Sequence, residues 1–105
     1  SLLGVLAQRL VRKLCVHCKR QDGNGSWHPV GCEHCSHTGY KGRTGVYELM
    51  AIDDKLRSLI HNRADENQLF VAAEAGGLKS MREDGQRLVR LGVTSPEEVI
   101  RVTRD

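Results

Sequence analysis

The sequence predicts a small α+β protein, mainly helical: an N-terminal helix, a four-cysteine knuckle lobe holding a short antiparallel β pair, then about four short helices. Three observations carry this. Two C-x-x-C pairs lie close together, leucines recur at helical steps ahead of them, and helix-capping residues precede apolar periodic runs after residue 51. At 105 residues the chain is the size of one ordinary domain. Its composition, 39% hydrophobic and 28% charged, suits a folded chain rather than a disordered one. The four aromatics, Trp27, Tyr40, Tyr47 and Phe70, leave any core mainly aliphatic.

Leu3, Leu6, Leu10 and Leu14, with Arg9, Arg12 and Lys13 between them, read as one amphipathic helix running into Cys15. No capping residue other than Ser1 precedes it, so the helix is expected to continue from something longer. Residues 15–45 are turn-rich and hold all four cysteines, four of the five histidines and six of the eleven glycines. Short strands are expected at Ser26–Val30 and Thr44–Met50. Asp53 caps a predicted helix with Leu56, Leu59 and Ile60; Asp65 caps a second with Leu69, Phe70 and Ala73, stopped by Gly76-Gly77. Ser80 opens a third with Met81, Leu88, Val89 and Leu91, ended by Gly92, in which Gly85 costs about 1 kcal/mol relative to alanine. Ser95-Pro96-Glu97-Glu98 starts a fourth: serine caps, proline takes the first helical position, and Glu98 is placed to reach back to the Ser95 amide. Helices this short need a shared core. The expected division is 1–14, 15–50 and 51–105.

Cys15-Val16-His17-Cys18 and Cys32-Glu33-His34-Cys35 are separated by thirteen residues. Two residues between cysteines let a tight turn aim both thiolates at one metal at about 2.3 Å, and two such knuckles complete a tetrahedron around zinc. Structural disulfides would need an oxidising compartment that nothing here specifies, and a thioredoxin-like pair would need a strand-to-helix context. With all four positions filled by thiolate, the zinc reads as structural rather than catalytic. His17 and His34 read as spacers inside the knuckles, and His28 and His37 as ligands only if a cysteine were missing. His61 suits the end of the Asp53 helix, where a cation favours the dipole. No catalytic set stands out. Gly39-Tyr40-Lys41-Gly42-Arg43-Thr44-Gly45 invites a phosphate-cradle reading but departs from G-x-x-x-x-G-K-[ST] and is followed by a strand, so its glycines read as turn formers.

The net charge of +3 is uneven: residues 1–45 hold seven Lys/Arg against two acids, and residues 46–105 nine against eleven. The basic half could face phosphate, an acidic partner or a membrane surface, or Arg9, Arg12 and Lys13 could form the solvated side of the first helix. The apolar run around Leu2–Ala7 falls far short of the ~20 residues of a membrane helix, and no secretory signal is recognisable.

Three blocks carry a family resemblance: Leu6-Ala7-Gln8-Arg9-Leu10-Val11-Arg12-Lys13-Leu14-Cys15, then Gly31-Cys32-Glu33-His34-Cys35, then Thr38-Gly39-Tyr40-Lys41-Gly42-Arg43-Thr44-Gly45-Val46-Tyr47-Glu48-Leu49. With Asp84-Gly85 and the run Gly92–Asp105, they resemble the C-terminal part of the hexameric type II secretion and type IV pilus assembly ATPases. The likeness covers essentially the whole chain. Val16 stands where the family usually has proline, and the insert between knuckles is short for the family; neither departure touches a ligand. The opening Val5-Leu6-Ala7-Gln8-Arg9-Leu10-Val11-Arg12 is nearer the type II branch.

The resemblance implies a motor whose ATP and Mg²⁺ site lies upstream of Ser1, so this chain should not hydrolyse ATP. It implies a zinc lobe, with Cys15, Cys18, Cys32 and Cys35 as ligands, and a terminal helical lobe packed on the ATPase core and neighbouring subunits. It also implies a cytoplasmic protein, peripheral at the inner membrane, that works with secretion-platform proteins in pseudopilus assembly. A zinc-ribbon nucleic-acid binder is the main rival, but no aromatic platform flanks the basic residues and the tail is acidic. A zinc-stapled adaptor without a motor is the third reading.

Overall fold

The computed structural model describes residues 2–104. The side chains of Leu2, Leu3, Phe70, Ala73 and Glu74 are not described, so the parts expected for Leu3 in the first apolar face and for Phe70 and Ala73 in the second helix lie outside the described residues. The order is β1 (Leu2–Leu14), β2 (Arg20–Gln21), β3 (Trp27–His28), a 3₁₀ turn (Glu33–Cys35), β4 (Tyr40–Ile52), α1 (Asp54–His61), α2 (Glu66–Ala75), α3 (Met81–Arg90) and α4 (Pro96–Thr103). The mixed α+β class and the four helices agree with the sequence reading.

The N-terminal helix does not form. Residues 2–14 are instead an extended strand, paired antiparallel with β4 from Leu2↔Ile52 to Leu14↔Tyr40. The leucine spacing that suggested a helical stripe does not mark the buried face. Leu6 and Leu10 are about half exposed (47% and 53%), while Val11 is fully buried and Leu14 nearly so. A long ladder satisfies the backbone groups of both segments at once, and tertiary pairing of this kind overrides a local helical pattern. Two bulges reconcile the spacing. Leu6 is the extra residue between Val5↔Leu49 and Ala7↔Glu48; near the other end Lys13 faces Lys41 and Gly42, with Gly42 at φ +81°. The expected strand at Thr44–Met50 lengthens to β4, and Ser26–Val30 shortens to β3, which pairs with β2 rather than with β4.

The helices divide into two pairs. α1 packs mainly on α2, which also touches β4, and α3 packs on α4, with α3 against β4 and α4 against β1. Val11, Val46, Met81, Leu88 and Val102 form the core there, with Val93 packed against it. The caps are those expected: Asp53, Ser80 and Ser95 accept from the N–H groups of Leu56, Glu83 and Glu98, and Asp65 from Gln68 at 2.8 Å. Gly85 lets α3 and α4 approach closely; a Cβ at that position would lie 2.5 Å from Val99 Cγ1.

Two buried carboxylates and their neighbours fasten α3–α4 to the outer edges of the ribbon. On β1, Arg12 N–H donates to Glu98 Oε2 at 2.8 Å, Thr94 Oγ1 donates to the Arg12 carbonyl at 2.7 Å, and Leu14 N–H donates to the Val93 carbonyl at 2.8 Å. On β4, Tyr47 N–H donates to Asp84 Oδ2 at 3.0 Å, and Leu49 exchanges backbone bonds with Lys79. Glu98 does not turn back to the Ser95 amide: its fully buried carboxylate holds the guanidinium groups of Arg12 and Arg101 at 2.8–3.2 Å. Burial alone would raise its pKa, but the bonds from Arg101 and Arg12 outweigh it and bring the value down to about 2. The solvated-helix reading of the basic residues gives way accordingly: Arg12 pins α4, and Arg9 donates to the Val102 carbonyl at 2.6 Å.

Replacing Glu98 by alanine leaves the Arg12 N–H without its acceptor but leaves both guanidinium groups partly in water, so a loss of about 2–3 kcal/mol in denaturant unfolding is expected. Because the folded pKa is depressed from 4.5 to about 2, the contribution is fully present above about pH 4.5 and fades as pH falls through about 2. Stability followed between about pH 5 and pH 2 should therefore drop more in the native chain than in Glu98→Gln. Gly85→Ala improves helix propensity yet collides with Val99. A net loss of about 1–3 kcal/mol in the same measurement is the expected result.

Candidate metal centre

The ribbon delivers the first knuckle. β1 ends as Leu14 and Cys15 are fixed by adjacent bonds, Leu14 N–H to Val93 and Cys15 N–H to the Gly39 carbonyl at 2.9 Å. The chain then turns within one knuckle, where the Cys15 carbonyl accepts from Cys18 and Lys19. The second knuckle repeats the device, with the Cys32 carbonyl accepting from Cys35 at 3.2 Å and from His37 at 2.8 Å. Gly39 leads from this knuckle into β4 at φ +83°, its α-carbon so close to Pro29 that a side chain there would overlap the ring.

The four sulfurs meet at one point. Cys15, Cys18, Cys32 and Cys35 place their Sγ atoms within 4.8 Å of one another, Cys15 and Cys35 buried and the other two partly exposed. Sγ–Sγ separations are 3.7 Å for Cys15–Cys32, and 3.9 Å for both Cys18–Cys35 and Cys32–Cys35. A tetrahedron with about 2.3 Å metal–sulfur bonds has edges of about 3.8 Å, so this donor set fits a four-coordinate metal ion. The same distances are far beyond the ~2.05 Å of a disulfide. All four cysteines are free thiols.

Backbone N–H groups support the charge that metal binding requires. Gly31 donates to Cys18 Sγ at 3.3 Å, and Cys32 and Gly39 donate to Cys35 Sγ at 3.2 and 3.1 Å. At Cys35 burial opposes ionisation, but these two donors prevail and bring its pKa down to about 6; at Cys32 burial raises it to about 11. A bound cation would favour thiolate at every position.

None of the five histidines joins the cluster. His17 and His34, the spacers, stack ring on ring outside it with centroids 3.8 Å apart. His28 is engaged by Asp22 and Glu97, and His37 occupies a left-handed turn at φ 63°. His61 lies in the last turn of α1 as the capping argument placed it. The glycine-rich run 39–45 opens β4: Gly39 and Gly42 supply positive φ, and Tyr40 Oη meets Ser95 Oγ at 2.7 Å. Sequence reading missed Asp84 and Glu98 as fasteners. A signal existed: Asp84 shares a helical face with Met81 and Leu88, and Glu98 with Val102, so both carboxylates interrupt apolar stripes.

A four-cysteine corner at the end of a β-ribbon, with helices strapped to the ribbon's edges, defines an α+β unit whose sulfur cluster could hold a metal ion and would leave it no open coordination position. The profile of the family described as "Type II/IV secretion system protein" matches residues 1–101, and the chain belongs to that family. It is 55% identical over 105 residues to "Type II secretion system protein HxcR" of Pseudomonas aeruginosa, covering 100% of this chain and 22% of that protein. It is 43% identical over 121 residues to "Type II secretion system ATPase E" of Vibrio cholerae, covering 100% of this chain and 24% of that one. Similarity extends to "Type IV pilus assembly ATPase TfpB" of Acinetobacter baylyi, 45% identical over 120 residues, 97% of this chain and 20% of that protein. The chain thus spans about a fifth to a quarter of the length of these relatives. Among the described residues no helix is long and apolar enough to cross a membrane.

One tightly bound metal per chain is expected on metal analysis. Its ligand energy, on the order of 10 kcal/mol in small zinc folds, is enough to decide whether residues 15–39 fold. Chelation should abolish order in that segment, read by amide dispersion and thermal unfolding. A metal-free sample with the segment fully ordered would contradict the structural role.

Proposed function

We propose that the chain is the zinc-binding C-terminal portion of a hexameric ATPase that powers type II secretion through pseudopilus assembly. On this reading residues 1–14 join an upstream core that holds ATP and Mg²⁺, residues 15–50 form the metal lobe and residues 51–105 the helical lobe. The protein is cytoplasmic and peripheral at the inner membrane, and it contacts neighbouring subunits and platform proteins there. The observation that carries the proposal is the four-sulfur cluster at tetrahedral spacing, inside a chain that matches secretion relatives end to end. A zinc ion supplies four strong bonds and no chemistry, since thiolates fill its coordination. The residues around it do the rest: Leu14 and Cys15 hold β1, Gly39 and Tyr40 hold β4, and the two strands leave the centre as one stiff arm. The similarity to TfpB supports a second reading within the same family, the pilus assembly branch.

Nucleic acid is a poor fit as partner. Of the basic residues in the front half, Arg9, Arg12 and Lys19 are spent on Val102, Glu98 and Gly92 within the fold. The sequence carries no phosphate loop or Walker-type lysine, so the isolated chain is expected neither to hydrolyse ATP nor to bind it saturably at micromolar concentration in physiological salt. In the full-length protein, Cys32→Ser should reduce export and oligomer assembly more than basal ATP hydrolysis by the remaining folded monomer. Export rate, oligomer size and ATPase rate measured on that variant test this; normal export with demonstrated zinc loss would contradict it.

A further inference from the structure

The β2–β3 hairpin, built from the insert between the cysteine pairs, supplies no ligand to the metal centre. Its end strand carries His28, whose two ring nitrogens each face a carboxylate. Nε2 lies 2.6 Å from Asp22 Oδ2, and Nδ1 lies 2.9 Å from Glu97 Oε1. A neutral imidazole has one N–H and one lone pair, so it can donate to one of these acids only; the imidazolium donates to both. Asp22 is itself fixed, its other oxygen accepting from the N–H groups of Asn24 at 2.8 Å and Ser26 at 3.1 Å. Glu97 sits in the first turn of α4, next to the Glu98 that pins β1.

We propose that His28 is a proton-operated clamp: protonated, it bridges the hairpin to the start of α4, and on losing its proton it releases one of the two carboxylates and loosens the hairpin. Each element around it contributes charge. The turn after β2 offers Asp22 and α4 offers Glu97. Arg20 stands opposite His28 in the β2–β3 register. Lys19 is committed elsewhere, its Nζ donating to the Gly92 carbonyl at 2.7 Å and lying 4.9 Å from the centre of the Trp27 ring. Glu98 is neutralised by Arg12 and Arg101. His28 is not in contact with the sulfur cluster, and Cys32, the nearest cysteine in sequence, lies four residues away.

The hydrogen bonds to Asp22 and then Glu97 raise the His28 pKa from its ordinary 6.5, and the same contact lowers that of Asp22. A raised folded pKa fixes the sign. The clamp is fully formed below pH 6.5 and is lost as pH rises through the folded value above it. The Lys19 bond and the packing of Trp27 on Gly92 do not involve His28, so they act as the hinge about which the hairpin tip gains freedom.

The test uses the metal-loaded chain, with NMR titration of His28 from about pH 5.5 to 9 and amide exchange of residues 20–28 corrected for intrinsic rates. In the native chain His28 should titrate above 6.5, and hairpin exchange should rise about two- to fivefold across that transition, the scale of a partly exposed ion pair. Glu97→Gln should lower the His28 midpoint and bring exchange at low pH towards the high-pH rate. His28→Gln should abolish the pH dependence, with metal content and the protection of Val11 and Val46 unchanged. A native midpoint at or below 6.5, or pH-dependent exchange that persists in His28→Gln, would overturn the clamp.

Discussion

The antiparallel pairing of β1 with β4 brings residues 14–15 beside residues 39–40 and so determines where both cysteine knuckles begin. A two-stranded ribbon is marginal in water by itself because its outer N–H and C=O groups and one apolar face lack partners. Here the partners come from the two ends of the ribbon and from the terminal helices. Beyond Leu14 the sulfur cluster closes the loop between the strands. Along the edges, Glu98, Thr94 and Val93 satisfy β1, while Asp84 and Lys79 satisfy β4. The ribbon is therefore the shared element of two otherwise separate constructions, a four-cysteine corner and a helical clasp.

The clasp and the corner meet in the segment 92–98. Gly92 receives Lys19 and lies under Trp27 of the cysteine insert; Val93 receives Leu14; Thr94 and Glu98 hold Arg12; Ser95 meets Tyr40. The start of α4 thus senses the position of β1, of β4 and of the insert together. Leu14 and Tyr40, the strand residues beside the sulfur cluster, thus bond directly to Val93 and Ser95 at the start of α4.

The sequence shows the local features plainly and the long-range ones poorly. The C-x-x-C spacing announces the clustering of the four cysteines, and Asp53, Asp65, Ser80 and Ser95 announce four helix starts, because each depends on residues a few positions apart. The N-terminal strand escapes sequence reading because Leu6, Leu10 and Leu14 stand four residues apart, a spacing shared by one face of a helix and one face of a strand. Only the partner strand, some forty residues away, resolves that ambiguity. Glu98 reads as a local cap for the same reason: besides Arg101 three residues on, its carboxylate holds Arg12, 86 positions distant. Asp84 and Glu98 did leave a trace, as charges on otherwise apolar helix faces, where a buried carboxylate must find a cation or a backbone N–H.

If the metal staples one end of a ribbon that the helices hold in the middle, its removal should act locally. Amide hydrogen exchange along the chain, with and without chelator, tests this most directly. The account requires protection to collapse over residues 14–40 while Val11, Val46, Leu88 and Val102 keep most of theirs through the Asp84 and Glu98 bonds. Loss of protection that is uniform along β1, β4 and both terminal helices, or no loss around the four cysteines, would contradict it.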